Sequence, residues 1–565
     1  MKKRHVYNFI YLVSASSLAL VPAAANAQVA SVIAPSHIED QFKNKPIEPA
    51  KPQAPFVPET GVKQHPAAGK TAETFILHDV QIEDSTVYPA GTFSDLYKDS
   101  IGKRITLAQA QDIAGQITTR YHKDGYILSQ AIIPEQNLKK GTLHIHVVEG
   151  FFDQIVIEND HPERDRRNLI KSYAEKIRKE QPVNIRTIER YMLLISDLPG
   201  VTAQSVIRPS STTQGAADLV ITIKNKVADA SFTSDNRGNK YIGPYQEQLS
   251  GSLNSIAGLG ERTTFSGINT IPEREMHYGS IQHEEQLDTE GTKLTLLASS
   301  VKTHPGDVLS QLDITGISDD FTATVSHPFI RSRTDNLIGR VEFDAHNTDN
   351  EAFGDMLDAD RVRSARLGVN YNTSDRWDGV NLADFSVSKG LSWPGATDDG
   401  ENRTRPVGEQ EYTKSNLSVS RLQDLPANFS FLTAATGQFT NQALLQSEQM
   451  TLGGADFGRA YDTGEIAGDS GIAGKAELRY SHPLSNEWIN AYQLYSYYDI
   501  GALRTNEAAP GTDPEQSLAS AGGGIRFNLI HNIYGYTELA FPLTKVVASE
   551  DNKDPRIFFS LSTQF

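Results

Sequence analysis

The sequence contains no cysteine, so disulfide bonds and thiol chemistry cannot contribute to its fold or activity. Beyond the N-terminus it has no apolar run near the ~20 residues of a membrane-spanning helix. Positive charge is in the minority, with 53 Lys and Arg against 70 Asp and Glu, which argues against binding nucleic acid through phosphate neutralisation. The mean hydropathy of −0.41 is too low for a helical membrane protein. It fits a β-barrel, in which only every second residue faces lipid.

The N-terminus has the pattern of a secretory signal peptide, residues 1–27. Residues 2–5 are Lys, Lys, Arg and His, residues 9–21 are mostly apolar, and residues 25–27 are the small residues Ala-Asn-Ala that suit a cleavage site. The apolar stretch is shorter than the ~20 residues of a spanning helix. No cysteine follows it, so no lipid anchor is expected. The chain is therefore predicted to be exported.

A proline-rich segment follows at residues 28–70, with seven prolines. This composition favours an extended, semi-rigid periplasmic linker. One short helix is predicted at residues 36–43, with Ser36 as N-cap and Glu39 three residues later. At about two turns it is too short to be stable in isolation.

Two consecutive α+β units are predicted at residues 71–150 and 151–226, each with the order strand, helix, helix, strand, strand. In the first unit Thr106 caps a helix whose apolar residues recur at 3.6-residue spacing, and residues 142–148 alternate apolar and polar side chains. The alternative is a small α/β enzyme domain, but no catalytic site is found within these residues. The other elements are predicted at residues 75–80, 126–133, 152–157, 162–178, 185–198, 201–208 and 219–224.

From residue 227 onward the helical periodicity disappears and segments of period two follow one another. Residues 472–480 are the clearest, because Lys475, Glu477 and Arg479 fall on one face and apolar or small residues on the other. Hydrocarbon cannot satisfy an open sheet edge, so such strands must close into a barrel. Residues 227–565 have room for about sixteen strands of ~10 residues. A soluble β-solenoid is the alternative.

The last ten residues show the same alternation and end in an aromatic residue. Phe559, Leu561, Thr563 and Phe565 share one face, as in a membrane strand with lipid on one side and a polar lumen on the other. A C-terminal aromatic residue resembles the signal by which outer-membrane barrels are recognised for insertion. An ordinary edge strand of a soluble sheet is the alternative interpretation.

This organisation resembles the two-partner secretion transporters, the hemolysin secretion/activation family within the superfamily of outer-membrane barrels that carry POTRA domains. The resemblance covers nearly the whole mature chain. It implies a mainly β fold, with two small α+β POTRA domains before a C-terminal transmembrane antiparallel barrel of sixteen strands. The local motifs that carry it lie at residues 235–246, 327–337, 452–461 and 497–501.

Three departures from the family pattern are visible, two at the tip of the long loop and one in the linker. Gly458 stands where the family often has Val, and Ala460 stands where it usually has Gly. The alanine restricts the backbone at the tip of the long loop, which a glycine would leave free. The linker also lacks a long amphipathic helix of the kind that plugs the pore in well-known members, so no plug is assumed.

The resemblance implies a loop-locking site formed by Arg459, Tyr461, Asp499 and Gly501. By alternation Asp499 points into the lumen, and the family's long loop, which here carries Arg459, folds back inside. A guanidinium and a carboxylate can form a bidentate pair there. The alternative is that Arg459 is a solvated loop residue and that Asp499 is one of the polar side chains that contact water in the lumen.

Three further features have both a functional and a purely structural interpretation. Residues 126–133 and 201–208 are candidate sheet edges for docking an extended cargo chain. The basic residues of 164–179 either contact acidic cargo or lipid head groups or form a solvated helix face. Acidic residues between 349 and 360 either bind calcium or form a solvated loop.

The expected function is an outer-membrane channel that moves one large, unfolded, exported protein from the periplasm to the cell surface. No enzyme activity, cofactor, metal site or nucleic-acid partner is expected, since no Gly-x-Ser-x-Gly or zinc-protease motif is present. The expected partners are a secreted cargo protein, outer-membrane lipid and, during biogenesis, the barrel-assembly machinery. A general barrel-assembly factor and a passive porin are the alternatives.

Overall fold

The computed structural model describes residues 29–43, 48–49, 74–213, 215–271, 275–397, 402–484, 488–509, 512–530 and 532–565. The predicted signal peptide and most of the predicted linker lie outside these residues. Among the described residues no helix is both long and apolar enough to cross a membrane.

The N-terminal part of the described chain contains four named helices and eight strands. In chain order these are α1 Pro35–Phe42, β1 Thr74–Ile76, β2 Asp79–Glu83, β3 Arg104–Thr106, α2 Leu107–Lys123, β4 Gln130–Ile132, β5 Thr142–Val148, β6 Phe152–Asn159, α3 Leu169–Lys179, α4 Ile185–Ser196, β7 Val201–Pro209 and β8 Ala217–Asn225.

The first α+β unit has a three-stranded sheet of order β2-β5-β4, in which β2 runs parallel to β5. The predicted cap is present, because the Thr106 hydroxyl accepts from the Gln109 N–H at 3.2 Å while the Gln109 side chain accepts from the Thr106 N–H at 2.8 Å. The first of the two helices predicted for this unit is not an α-helix, and two 3₁₀ turns, Ser94–Leu96 and Lys98–Ser100, lie between β2 and β3 instead.

The strand predicted at 126–133 is shorter than expected, because only the residues of β4, Gln130–Ile132, form a strand in this range. Ile127 and Leu128, which the sequence places in a strand, pack instead against the hydrophobic core of the second unit. This packing joins the two units, and the turn that it requires delays the start of the strand.

The second unit repeats the architecture, with a sheet of order β6-β8-β7 and both helices packed on one buried core. The helix predicted at 162–178 begins seven residues later than predicted. Asn168 has a left-handed φ of 54°, and the Asp165 carboxylate accepts from the N–H groups of Leu169 and Ile170 at 2.7 and 3.0 Å. These acceptors start α3 at Leu169.

The C-terminal part is a closed antiparallel barrel of sixteen strands. Its strands are β9 Ala228–Asp235, β10 Tyr245–Asn254, β11 Glu261–Ile271, β12 Met276–Gln286, β13 Lys293–Thr303, β14 Ile314–Arg331, β15 Asp335–Ala352, β16 Asp355–Ser374, β17 Gly379–Gly390, β18 Thr413–Asp424, β19 Phe429–Phe439, β22 Ser470–Pro483, β23 Ile489–Arg504, β24 Glu515–Leu529, β25 Ile533–Pro542 and β26 Arg556–Gln564. A short hairpin, β20 Met450–Leu452 with β21 Ile466–Gly468, belongs to the connection between β19 and β22.

The predicted alternation matches the burial pattern of these strands. In β22, Ile472 and Leu478 are exposed on the outer face, whereas Glu477 and Arg479 are buried on the inner face. On β26, Phe559 and Leu561 also face outward, and Phe565 is exposed at the end of the chain. The barrel therefore presents an apolar outer face and encloses polar side chains.

The second α+β unit is fastened to turns at one end of the barrel. Arg167 of the basic segment donates to the Leu287 carbonyl at 2.9 Å and pairs with Glu285 at 3.1 Å. The Glu290 carboxylate accepts hydrogen bonds from the ammonium of Lys176 and from the hydroxyl of Tyr191. Part of the basic charge predicted to face cargo, lipid or solvent is thus used for docking on the barrel.

The acidic residues between 349 and 360 lie mainly at the tip of the β15–β16 hairpin, where other side chains pair with several of them. Asp349 pairs with Arg361 at 2.7 Å, and Asn350 donates to Asp358 at 2.7 Å. Within the described residues no group of three or more side chains is arranged to hold a metal ion.

Glu290→Ala should loosen the docking of the second unit. The change removes a shared partner of Lys176 and Tyr191, and for half-exposed groups it should lower the free energy of local opening by about 1 kcal/mol, or about fivefold in amide exchange. Hydrogen exchange of α3 in the full chain measures this. Glu163→Ala, which removes a carboxylate paired with His161 of its own unit, is the matched control, and equal exchange in both variants would contradict the docking role.

Candidate functional site in the barrel lumen

The connection between β19 and β22, residues 440–469, turns back into the barrel instead of extending from it. Its tip residues Arg459, Ala460 and Tyr461 are almost completely buried, with at most 4% exposed. Leu452, Phe457 and Ile466 of the same connection pack on Ala473 and Leu503 of the wall. The segment is therefore held by the inner surface of the barrel, and we call it the lumen loop.

Arg459 at the tip meets the carboxylate of Asp499 on β23. Its Nε lies 3.0 Å from Oδ2 and its Nη2 lies 2.9 Å from Oδ1, which is a bidentate pair. The backbone N–H groups of Gly458 and Arg459 also donate to Oδ2, at 3.2 and 3.1 Å. Asp499 is fully buried, so its charge is balanced by this tip and not by water.

Glu477 on β22 is the second carboxylate of the site and connects three arginines. It accepts from Arg459, from Nε of Arg479 at 2.7 Å and from Nη1 of Arg526 at 2.7 Å. Burial alone would lower the pKa of the Arg459 guanidinium, but the hydrogen bonds and charges of Asp499 and Glu477 outweigh it, and the pKa lies above its ordinary value. Arg459 is therefore permanently charged.

Two tyrosines on the inner face of β23 complete the cluster. The guanidinium carbon of Arg459 lies 3.4 Å from the ring centroid of Tyr497, and that of Arg526 lies 3.8 Å from the ring of Tyr495. The Tyr495 hydroxyl donates to Glu538 on β25 at 2.8 Å. Cations, rings and carboxylates thus alternate across four neighbouring strands.

Tyr461 fixes the other side of the tip. Its hydroxyl donates to the Ala519 carbonyl at 3.1 Å and accepts from the N–H groups of Thr544 and Lys545 at 3.2 and 3.1 Å. Arg556 on β26 donates to the Ala460 carbonyl at 3.1 Å. The tip is therefore bonded to β24, to the β25–β26 connection and to β26.

Gly501 contributes space and not a contact, because a Cβ at this position would overlap the side chain of Leu452 in the lumen loop. Gly458 has a φ of +85°, which favours glycine over the Val of the family pattern. Residue 460 does not have a positive φ, and the Ala460 methyl group packs among Tyr495, Tyr497 and Phe558. The two departures at the tip thus suit the conformation that this chain adopts.

The short helix predicted at residues 36–43 is present as α1, and it lies in the lumen, where no plug was assumed from the sequence. Glu39 of α1 accepts from the hydroxyls of Ser299 on β13 and Ser318 on β14 at 2.6 and 2.7 Å. Ile38 is fully buried in a cluster of inward residues that includes Tyr278 and Val301. Ser36 is not its N-cap, since the helix begins at Pro35 after Ala34 and no side chain caps it.

The four residues of the predicted insertion signal lie on the outer face at the end of β26 or just beyond it. Phe559, Leu561 and Phe565 are exposed, and Thr563 is half-buried. The Phe565 carbonyl accepts from the Lys226 ammonium at 2.9 Å, and its N–H donates to the Ala230 carbonyl at 2.9 Å. The chain end is therefore joined to the start of the barrel.

Of the predicted site, the structure brings Arg459, Asp499 and Tyr461 to one part of the wall, with Gly501 beside the lumen loop. The roles of Glu477, Tyr495, Arg526 and Glu538 were missed. The alternation of β22, β24 and β25 indicates that charged side chains of these strands face the lumen. It does not indicate which of these charges pair with each other.

The family profile described as haemolysin secretion/activation protein ShlB/FhaC/HecB matches residues 215–527. A second profile, the ShlB-type POTRA domain, matches residues 75–150. Together they cover one α+β unit and most of the barrel.

Full-length relatives have similar sequences. The heme/hemopexin transporter protein HuxB of Haemophilus influenzae (strain 86-028NP) is 24% identical over 92% of each chain. The outer membrane transporter CdiB of Dickeya dadantii is 25% identical over 72% of each.

Among solved structures, CdiB from Escherichia coli has a TM-score of 0.71 at 20% identity and covers 90% of this chain and 94% of its own. BamA from Haemophilus ducreyi lacking POTRA domains 1–3 has a TM-score of 0.51 at 12% identity, over 87% of this chain and 100% of its own. At these identities the likeness concerns the fold.

Asp499→Asn should release the tip of the lumen loop. The change removes the charge that faces the buried Arg459 guanidinium, and leaving a buried charge without its partner destabilises by about 3 kcal/mol. Trypsin treatment of the purified full chain should then cleave after Arg459, which mass spectrometry detects. The control is Asp384→Asn, which breaks a bidentate pair with Arg340 elsewhere on the wall. Equal protection of Arg459 in both variants would contradict the lock.

Proposed function

Because the chain belongs to the haemolysin secretion/activation protein family, we propose that it carries one large exported protein through the outer membrane. The protein is an outer-membrane secretion channel with its α+β units in the periplasm. The observation that carries the proposal is the lumen loop, pinned by Arg459 and Asp499 inside a closed barrel of sixteen strands. This architecture belongs to a family of transporters and not to a family of enzymes.

The chain divides functionally as its sequence predicts. Residues 1–27 direct export, and residues 28–70 carry α1 and connect it to the first periplasmic domain. Residues 71–150 and 151–226 are two POTRA domains, and residues 227–565 form the channel. Phe565 with its neighbours on the outer face of β26 serves recognition by the barrel-assembly machinery. The exposed apolar residues of the barrel contact outer-membrane lipid.

Cargo enters as an extended chain and first pairs with a sheet edge. Each α+β unit offers one at the strand that the sequence singled out, β4 in the first unit and β7 in the second. Backbone hydrogen bonds at such an edge hold an unfolded chain with little dependence on its sequence. The periplasm supplies no nucleotide, so folding of the cargo outside the cell draws it through the channel.

The helix α1 and the lumen loop both lie inside the pore in the form that the structure describes. Export therefore starts with displacement of α1 from its site between β13 and β14. The buried Ile38 and the hydrogen bonds of Glu39 are what this displacement breaks.

A general assembly factor is the second candidate, because a barrel of BamA has the same overall fold. The sequence match to the haemolysin secretion/activation family favours the dedicated transporter. A passive porin has no need of two periplasmic units.

Deletion of the gene should remove one large protein from the medium and cell surface and leave other outer-membrane barrels unchanged. Quantitative proteomics of medium, surface and outer-membrane fractions measures this, and complementation with the intact gene is the control. A general fall in many barrels would instead identify an assembly factor.

Ile38→Ala should open the channel more often. The change removes buried contacts of α1 and weakens its binding in the lumen by about 2–4 kcal/mol. The fraction of time that the channel is open in planar lipid bilayers should therefore rise at least tenfold. Ile256→Ala, at a position 53% exposed in a turn, is the control. Identical conductance of the two variants would show that α1 does not close the channel.

A further inference from the structure

Two cations lie among apolar side chains on the outer face of the barrel, Arg363 on β16 and Lys389 on β17. On β16 Leu367 is 63% exposed, whereas Val362 and Ser364 are buried. Successive side chains of a strand point to opposite faces, so the odd-numbered positions of β16 face outward. Arg363 is therefore directed toward lipid and not into the lumen.

Lys389 faces outward beside Arg363. Its partner in the register between β16 and β17 is Ala365, and its own side chain is exposed. Arg363 is the diagonal neighbour of Lys389 on this face, at a separation of about 7–8 Å between such positions. Across β14–β17 the register places Phe321 in the row of Arg363 and Phe343 in the row of Lys389, and neither row contains a carboxylate.

Neither cation has an anionic partner in the part of the chain that the structure describes. The Arg363 Nη1 donates to the Asn347 carboxamide at 2.9 Å and to two backbone carbonyls, all uncharged acceptors. Arg361, the preceding outward residue, differs because it pairs with Asp349 at 2.7 Å. Two positive charges thus remain uncompensated at the edge of an apolar surface.

The depth of Arg363 in the membrane follows from its distance along β16. It lies eight residues from Tyr371, which is about 20 Å along the axis of a barrel with tilted strands. Tyr371 marks the end at which the second α+β unit docks, since its hydroxyl donates to Asp335 and the nearby Arg331 pairs with Asp197 of that unit at 2.7 Å. The apolar band of such barrels is ~25 Å tall, so Arg363 lies near its opposite, outer-leaflet edge.

A turn at residues 393–396 borders the guanidinium. The Ala396 N–H donates to the Trp393 carbonyl at 3.0 Å. The Trp393 side chain is exposed, and its ring lies edge-on at 6.1 Å from the ring of outward Phe343. A Cβ on Gly395 would lie 3.8 Å from Nη2 of Arg363. Indole and guanidinium are therefore neighbours, at the level where tryptophan is enriched in membrane proteins.

Backbone contacts fix this turn to β16. The Leu391 N–H donates to the Arg363 carbonyl at 2.8 Å, and the Thr397 N–H donates to the Arg361 carbonyl at 3.0 Å. The buried hydroxyl of Thr397 accepts from the Arg361 N–H at 2.6 Å. The positions of the two cations and of the indole are thus set before any ligand arrives.

We propose that Arg363, Lys389 and Trp393 form a binding site for a phosphorylated glycolipid of the outer leaflet, of the acylated glucosamine phosphate class known as lipid A. Among the described residues, protein acceptors engage only Nη1 of Arg363. Its Nε and Nη2 therefore take two oxygens of one phosphate, and Lys389 adds a point charge. The indole borders the sugar, and the acyl chains lie on outward apolar residues such as Leu367.

Two carboxylates on the outer face near this end of the barrel do not cancel the site. Asp349 is already paired with Arg361. Asp319 lies in the same row as Arg361, farther from the membrane centre than Arg363, and two strands away on β14. Two strand spacings are about 10 Å, roughly one Debye length at 0.1 M salt. The anion that balances Arg363 must therefore come from outside the chain.

The proposal requires only a place in the outer membrane, and its test measures lipid binding and not export, so it and the transport proposal can fail separately. Purified full chain in detergent is titrated with hexa-acylated, bisphosphorylated lipid A and followed by native mass spectrometry. Arg363→Gln, which removes the charge and keeps a polar side chain, should raise the Kd at least tenfold. Equal Kd values for this variant and the unaltered protein would overturn the proposal.

Lys302→Gln is the matched control, because Lys302 is an exposed outward cation on β13 at the same end of the barrel. It should bind lipid A as the unaltered protein does, and an equal loss in both variants would reduce the site to unspecific charge. If Arg363→Gln gives no folded barrel by heat-dependent migration in gels, Lys389→Gln replaces it with a rise in Kd of at least threefold. An unchanged Kd in that folded variant would equally overturn the site.

Two further ligands identify which part of the lipid is bound. Lipid A without its phosphates should bind the unaltered protein at least tenfold more weakly, and equal binding would mean that the apolar surface alone suffices, against the proposal. Millimolar inorganic phosphate should not displace lipid A, because it lacks the acyl chains. Displacement at equal concentrations would assign the cations to free phosphate and overturn the lipid site.

Fluorescence locates the bound lipid, because the chain has only three tryptophans. Trp377→Phe/Trp488→Phe leaves Trp393 as the sole indole. Lipid A should shift its emission to shorter wavelength, and addition of Arg363→Gln to this background should abolish the shift at the same lipid concentration. Emission that does not respond to lipid A in the folded double variant would contradict a site beside Trp393.

Discussion

A guanidinium removed from bulk water must find carboxylates that replace its hydration, and Arg459 is the residue on which this constraint acts most strongly. Asp499 and Glu477 supply two charges, and Tyr497 supplies a ring face. Because the wall provides these partners, the lumen loop is more stable inside the barrel than outside it. The inward conformation of the lumen loop therefore depends on this one buried charge.

The same requirement explains why the network is shared among strands. Glu477 also serves Arg479 and Arg526, and Glu538 serves Arg237 together with two tyrosines. A buried cluster of this kind is stable only when every member has a partner. These shared contacts connect the loop to strands β22–β26.

Much of the fold was predictable from alternation, because a barrel strand has only two faces. The facing of Phe559, Leu561 and Asp499 follows from their position alone. Segments whose conformation depends on distant contacts were not predictable. Ile127 and Leu128 leave a predicted strand because their side chains pack against the core of the neighbouring unit. A short helix was predicted close to α1, but its position in the lumen, where Glu39 and Ile38 make their contacts, was not. Pairing of Arg459 with Asp499 required the family resemblance, since 40 residues separate them.

The most direct test of the account is export of the cargo by an Asp499→Asn channel compared with the unaltered one, at equal abundance in the outer membrane. If the pinned lumen loop is the transport-competent form, secreted cargo should fall by at least tenfold. Export at the full rate by a correctly inserted Asp499→Asn barrel would contradict the central claim that this buried pair supports transport.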